Sequence, residues 1–440
     1  MRKTKQLLLV LLLFPLLSYA YDWDRVAIPK NLKDQHENWI LNEDLSDDFS
    51  YTFDEVDREA YFGPEGEQKW YNFYHANWNG PGATIWRHDH VSVKDGHLRM
   101  RVSRQAGEVK YKGTATRTGC FTSTKRVSYP AFVECNVKLS NLSLASCLWM
   151  LSPDDAQEID ILEAYGDVDY YKKSLHLSHH YFIRHPFTDY QPKDWGTWYQ
   201  EAGKSDWLDQ YIRIGVYWKD PFHLEYYVNG KHVRTVSDKA IWYIDANGRE
   251  VTGYYKKTNG VINGHSSYST VYSATSLSDA NAKSSVSVID GYEYYKVELK
   301  HQNTPGLWKD MDIIINVEDQ GWLVDAGSSP SDASIQRQKD RPFKVDWIRV
   351  YHPKDDTFLD EENVSEFAKA YYDSTNGKIV VKGENLSIAK LYNIKGIPVT
   401  TQRVEYSNII EIPVSGLQKG IYVIQVINGN KQMQSIKIAL

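Results

Sequence analysis

Between Asp22 and Tyr351 the chain is a succession of short runs in which apolar and polar residues alternate, separated by turn residues. Residues 84–86, 91–93, 98–102, 120–123, 131–139, 148–151, 174–180, 212–218, 223–228, 232–236, 311–317 and 345–351 each carry the two-residue period of a strand. Asp95-Gly96 and Asn229-Gly230 fall between such runs, and the second is a strong hairpin signal. Long amphipathic helical patterns are scarce. Many strands with regular turns predict an all-β fold, a sandwich or a barrel. The pattern breaks after Tyr351: residues 354–367 are acidic and irregular and are expected to be a linker. Strand-like runs resume at 378–381, 388–392, 409–413, 420–427 and 434–439, predicting a small second β-sandwich over 368–440.

One run stands apart from the rest. In Gln157-Glu158-Ile159-Asp160-Ile161-Leu162-Glu163-Ala164-Tyr165-Gly166, Glu158 and Asp160 are two apart and leave the same face of a strand. Strict alternation would send Glu163 to the other face. One extra residue near Ile161-Leu162, a β-bulge, brings it back beside the first two acids. A solvated edge strand with acidic decoration is the plain structural alternative, but Ile159, Ile161 and Leu162 are too apolar for a strand with both faces in water.

Three carboxylates along one cleft suit glycosidic chemistry. Retaining glycosidases place two carboxyl groups roughly 5–5.5 Å apart, one as nucleophile and one as acid/base. With the bulge absorbing a residue, the two glutamates stand about 13 Å apart at Cα, so both side chains must lean inward. Asp160 between them would orient one Glu, and like-charge proximity raises the pKa of one member. This reasoning leaves the order of the two Glu roles open.

Composition narrows the partners. Tyr 32, Trp 14 and an aromatic fraction of 13% exceed what a core alone requires and suit a groove that stacks sugar rings. The formal charge of −6, more negative once Arg2, Lys3 and Lys5 are removed with a leader, argues against nucleic acid. Those cations precede a short apolar run, residues 7–17, and then Ser18-Tyr19-Ala20, the form of a secretory signal peptide over 1–20. No later stretch is apolar enough to span a membrane, so a secreted, cell-surface or periplasmic location is expected, with the protein a monomer. Cys120, Cys135 and Cys147 lie in strand-like runs and are expected to be small buried hydrophobes, not a disulfide framework or a zinc site.

The run Glu158-Ile159-Asp160-Ile161-Leu162-Glu163 resembles the bulged active-site strand of glycoside hydrolase family 16. The flanks Leu148-Trp149-Met150-Leu151-Ser152-Pro153 and His176-Leu177-Ser178-His179-His180-Tyr181-Phe182-Ile183-Arg184 resemble its agar-degrading members. The likeness covers roughly residues 40–353, within a catalytic domain placed at 21–353. It implies a β-jelly-roll sandwich with an open concave groove, Glu158 as nucleophile, Glu163 as acid/base and Asp160 as the orienting carboxylate. It further implies sugar contacts from His180, Arg184, Glu318 and Trp322; the residues themselves add Trp149, ahead of the acidic strand, and Trp78 as aromatic contacts. Trp78 sits on a Gly/Pro loop and has little core to fill. No cofactor is required; a structural Ca²⁺ is implied on the convex side, with oxygens from Asp48, the Gly96 carbonyl and Asp346. The expected activity is endo-hydrolysis of β-1,4 bonds in red-algal galactan, agarose first. A porphyranase is the alternative, its 6-sulfate pocket drawn from Arg87, His88 and Arg184. A non-catalytic glycan-binding protein is the alternative of another class, and it would keep the aromatic groove without needing three acids.

Two segments depart from that resemblance. Residues 243–305, rich in Tyr, Ser, Asn and Gly, are longer than compact members need and are expected to wall or cover one end of the groove. Leu391-Tyr392-Asn393-Ile394-Lys395-Gly396 and Leu417-Gln418-Lys419-Gly420-Ile421-Tyr422-Val423 resemble the C-terminal sorting domains of type nine secretion, so residues 368–440 are expected to have no catalytic role.

Overall fold

Each alternating run has one apolar face, and two sheets stacked face to face bury all of them. The computed structural model describes residues 21–184, 187–192, 194–237, 240–262, 265–271, 307–338, 342–354, 367–429 and 432–440. One sheet runs Phe187–Tyr190, Leu175–Arg184, Gln157–Tyr165, Ala145–Leu151, Met311–Glu318, Cys120–Val127, Trp70–Tyr71 and Tyr61–Phe62. Trp198–Tyr199 is added beside Leu175–Arg184. The second sheet is centred on Tyr211–Asp220, Ala131–Lys138 and Phe343–Pro353. Leu148, Met150, Ile159 and Ile161 from the first sheet meet Val133, Cys135, Val216 and Ile348 from the second in one buried core. The opposite face of the first sheet carries Cys147, Trp149, Leu151 and Tyr165, and that face holds the site.

Local sequence accounts for much of the register. Asn229 and Gly230 have φ of 51° and 76°, the left-handed pair that a two-residue hairpin between His223–Val228 and Lys231–Ser237 demands. All three cysteines are buried and free, as expected of small hydrophobes. The N-terminal segment covers the outer face of the second sheet. There Leu32 packs with Phe132, Tyr217 and Tyr227, and Arg349 donates to the Val26 carbonyl at 2.6 Å. Arg349 also ion-pairs at 2.5 Å with Glu134, its cross-strand partner, with both side chains almost fully buried.

The segment expected to wall or cover the groove, residues 243–305, is strand in its described first part. Glu250–Ile262 and His265–Val271 form a hairpin that extends the second sheet beyond Ala240–Ile244. The side chains of Tyr254, Tyr255 and Tyr268 and all of residues 272–306 lie outside the described residues, as do residues 1–20 and 355–366, where the leader and most of the linker were expected.

The C-terminal part is β, with its own buried cluster that includes Ile379, Val381, Leu391, Ile412 and Ile424. The expectation of two short strands at 378–381 and 388–392 needs correction, because Lys378–Asn393 is one strand, as is Pro398–Pro413. Register shifts between Lys382 and Ile388 bend it, so Ala368–Asp373 pairs with its first half and Ile421–Asn428 with its second. The five strands are hydrogen-bonded as one strongly bent sheet whose two halves enclose that cluster, the small C-terminal sandwich expected.

Arg349→Met strands the buried Glu134 carboxylate without its partner. Urea unfolding of this variant is expected to show a loss of about 3–5 kcal/mol; a loss under about 1 kcal/mol would show that the pair is not the anchor of this face.

Candidate active site

The acidic strand Gln157–Tyr165 pairs on one side with Ala145–Leu151 and on the other with Leu175–Arg184. Opposite Ala145–Leu151 the register runs Leu151↔Glu158, Met150↔Ile159 and Trp149↔Asp160, then steps to Leu148↔Leu162 and Cys147↔Glu163. Ile161 is the extra residue of the bulge. Ile159, Ile161, Leu162 and Ala164 all join the core, while Glu158, Asp160, Glu163 and Tyr165 line the groove. The displaced alternation read from the sequence is present in the fold.

The neighbouring strand supplies the counter-charges. Glu158 stands opposite His180 and Glu163 opposite His176. His176 Nδ1 is 2.8 Å from Glu163 Oε2. His180 Nε2 is 2.9 Å from Asp160 Oδ2 and 3.9 Å from Glu158 Oε1, while its Nδ1 is 2.6 Å from Asp189 Oδ1. Against burial, which disfavours the cation, Asp160 and Asp189 raise the His180 pKa well above its ordinary value. Burial, and next the Asp160 charge, push Glu158 well up. Glu163 goes the other way: despite burial, the His176 contact and Gln320 hold it down at about 2.

A second network ties Glu163 to the end of Met311–Glu318. Gln320 Nε2 donates to Glu163 Oε1 at 3.0 Å and to Glu318 Oε2 at 2.8 Å. Its Oε1 accepts from Tyr165 Oη at 2.9 Å and from Trp322 Nε1 at 2.7 Å. Glu318 also accepts from Asn316 Nδ2 at 2.8 Å, and burial lifts its pKa to about 7. Gln320 is the hub of this network and was not foreseen, since a neutral amide gives no charge or aromatic signal in a sequence.

These groups line a groove of about 870 Å³ together with Trp78, Trp149, Trp195, Trp198 and Trp322. Trp149 is only 7% exposed and forms floor, stacked 6.1 Å from Tyr74, whereas Trp78 at 45% and Trp322 at 38% stand open to solvent. Trp322 lies on the short helix Gly321–Asp325. Arg184 ends its strand, and its side chain lies outside the described residues. Arg87 and His88, expected at a sulfate pocket, are not among the lining residues. Arg87 is held by Asp57 at 2.5 Å and Asp89 at 3.4 Å, and His88 packs on Phe73.

The family pattern described as beta-porphyranase A-D, GH16 domain, matches residues 39–260. The chain belongs to glycoside hydrolase family 16. Residues 374–439 match a secretion system C-terminal sorting domain. Beta-agarase D of Zobellia galactanivorans is 38% identical over 96% of this chain and 95% of its own length. The crystal structure of its catalytic domain aligns with a TM-score of 0.67 and 42% identity, covering 76% of this chain and 99% of that one. A beta-agarase of Phocaeicola plebeius is 44% identical over 76% of this chain and 90% of its own. An inactivated beta-agarase B solved with agaro-octaose aligns with a TM-score of 0.57 and 36% identity, over 75% of this chain and 99% of that one. The two sheets are thus the family 16 jelly roll.

Among the described residues, two clusters bring three ligand-type atoms within 4.8 Å of one another: Cys147 with Glu163 and Glu318, and Glu158 with Asp160 and His180. Both belong to the family 16 groove. Asp48 and Asp346 join no such cluster. Asp346 accepts from Asn136 Nδ2 at 2.8 Å and lies 3.5 Å from His97 Nε2. Burial, then the charges of Asp346 and Asp48, push the Asp22 carboxyl up, which adds Asp22 to that acidic patch.

His75 pins the approach to the acidic strand. Its Nε2 is 2.8 Å from Asp155, on the turn before Gln157, and its Nδ1 is 2.9 Å from Asp312. Against burial, these two contacts push His75 up to about 9. An imidazole raised on folding contributes stability that is complete below its unfolded value of about 6.5 and is lost as pH rises through about 9. Melting temperatures between pH 6.5 and 9 are therefore expected to fall less steeply in His75→Gln than in the wild type; parallel curves would remove His75 from that slope.

Proposed function

We propose that this protein is an exported endo-β-agarase that cleaves the β-1,4 bonds of agarose with retention. The observation that carries the reading is the bulged strand, whose three acids share one groove face in a family 16 jelly roll whose close relatives bear the name beta-agarase. In this reading Glu158 attacks the anomeric carbon as Glu163 protonates the departing glycosidic oxygen. The C1–O bond breaks as the C1–carboxylate bond forms. Glu163, now a carboxylate, then takes a proton from the water that releases the glycosyl-enzyme. Asp160, paired with His180, orients Glu158. Trp78, Trp149, His180, Arg184, Glu318 and Trp322 hold the chain; a relative, beta-agarase B, has been solved with agaro-octaose bound. A glycan-binding protein without catalysis has no use for three crowded acids.

Agarose is favoured over porphyran on charge. The groove is lined by Asp155, Glu158, Asp160, Glu163, Asp189, Asp194 and Glu318, with no Lys or Arg among the described lining residues. A 6-sulfated galactan therefore meets no Lys or Arg on that described lining to pair its sulfate, and Arg87 is engaged elsewhere. The sorting module supports delivery to the cell surface or medium. A structural Ca²⁺ would draw on the oxygens of Asp48, the Gly96 carbonyl and Asp346, with Asp22 beside them, the donor type this ion takes. No catalytic step uses it.

The proton balance of the free groove is the reverse of what the first step needs. Burial and the Asp160 charge raise Glu158 while, against burial, the His176 contact lowers Glu163, an order opposite to the one the first step uses in its reactive form, with the proton on Glu163. Sugar hydroxyls donating to Glu158 stabilise its carboxylate and favour that form.

Wild-type protein is expected to release new reducing ends from agarose and far fewer from porphyran, with Glu158→Gln inactive and Glu163→Gln reduced by about 10²–10⁴-fold. Agarose binding without new ends in the wild type would instead support the non-catalytic reading. Since the His176 contact lowers Glu163, His176→Gln raises it toward the ordinary value of about 4.3, and the acid limb of kcat/KM moves to higher pH. A limb that stays in place while circular dichroism shows an intact fold would contradict this role for His176.

A further inference from the structure

Trp195 is the most exposed tryptophan among the described residues, at 74%, and it lines the same groove as the acids. An indole in water forfeits its burial free energy, so a loose surface Trp would be expected to fold back onto the protein. This one is held out by a rigid mount. Trp195–Thr197 is a single 3₁₀ turn capped by Asp194, whose carboxylate accepts from Gly196 N at 2.9 Å. Arg234 grips the same carboxylate with two bonds, 2.6 and 2.9 Å, and both side chains are almost fully buried. A Cβ on Gly196 would lie 2.4 Å from Arg234 Nη1 and 2.5 Å from Tyr243 Cγ, so only glycine lets the turn sit this low. Trp198, next along, pairs with His176 and packs on its ring at 4.3 Å. The mount therefore stands beyond the strand of His176 and His180. Trp78 belongs to the other side of the acidic strand, where it packs with Tyr74, itself stacked on Trp149.

We propose that Trp195 is a distal stacking platform: a sugar ring of the bound galactan, beyond the histidine strand, lays its C–H face on the indole that Asp194 and Arg234 hold in place. This rests on the reading of the groove as an agarose-cleaving site. It extends the productive contact past the acids to a ring that takes no part in bond cleavage, so its contribution depends on chain length.

The test compares kcat/KM on agaro-oligosaccharides from tetraose to decaose for wild type, Trp195→Ala and Trp195→Phe, with melting temperatures as the fold control. In the wild type, kcat/KM is expected to climb with length. In Trp195→Ala the ratio of the longest to the shortest cleaved substrate is expected to fall about tenfold, with Trp195→Phe in between. A loss equal at every length, or no loss at any, overturns the platform while leaving the agarase reading intact. A wild type that cleaves none of the series overturns the reading itself, and the platform with it.

Discussion

Holding three carboxylates on one face of one strand is the constraint to which the rest of the structure answers. Two like charges about 5 Å apart at an effective dielectric near 20 repel by about 3 kcal/mol, and burial adds to that. The same strand supplies the opposing force. Ile159, Ile161, Leu162 and Ala164 are almost fully buried on its core face, and each large aliphatic side chain contributes about 1.5–3 kcal/mol. The bulge serves both faces at once: it inserts a second consecutive apolar residue into the core and returns Glu163 to the groove. His176, His180 and Gln320 then supply local compensation. The active face is thus held in place by the packing behind it, and its neighbours distribute the proton.

Much of this was legible in the chain because alternation is a local property. The acidic trio, the bulge near Ile161-Leu162 and the groove face of His176 and His180 follow from a two-residue period and one slip in it. Gln320, Asp189 and Trp195 were not seen. Gln320 matters through four hydrogen bonds, two of them to Glu163 and Tyr165 far away in the chain, and Asp189 reaches His180 only across a hairpin. Trp195 carried a readable signal, a tryptophan beside glycine on a turn, the criterion applied to Trp78. The C-terminal strands were misjudged in length because register shifts between Lys382 and Ile388 interrupt the period without ending the strand. Arg87 and His88 were expected at a sulfate pocket, but they are not among the groove's lining residues, and Arg87 is paired with neighbouring Asp89 and with Asp57, which the fold brings close.

The groove's charge and its aromatic surfaces point to the same class of ligand. Open indoles at Trp78 and Trp322 suit uncharged sugar rings, and a described lining without Lys or Arg offers an anionic ring no such partner. That the family pattern bears a porphyranase name while the close relatives are named agarases is consistent with a shared scaffold whose selectivity lies in a few polar side chains.

The stereochemical course of cleavage tests most directly whether the kinked strand brings its two glutamates within reach of one anomeric carbon. Proton NMR during the first minutes of agaro-oligosaccharide hydrolysis should show the new reducing-end galactose forming as the β anomer and drifting only later to its equilibrium mixture, the outcome of two displacements by closely spaced carboxyl groups. The α anomer forming first would mean a single displacement by water between widely separated acids, and would contradict the account.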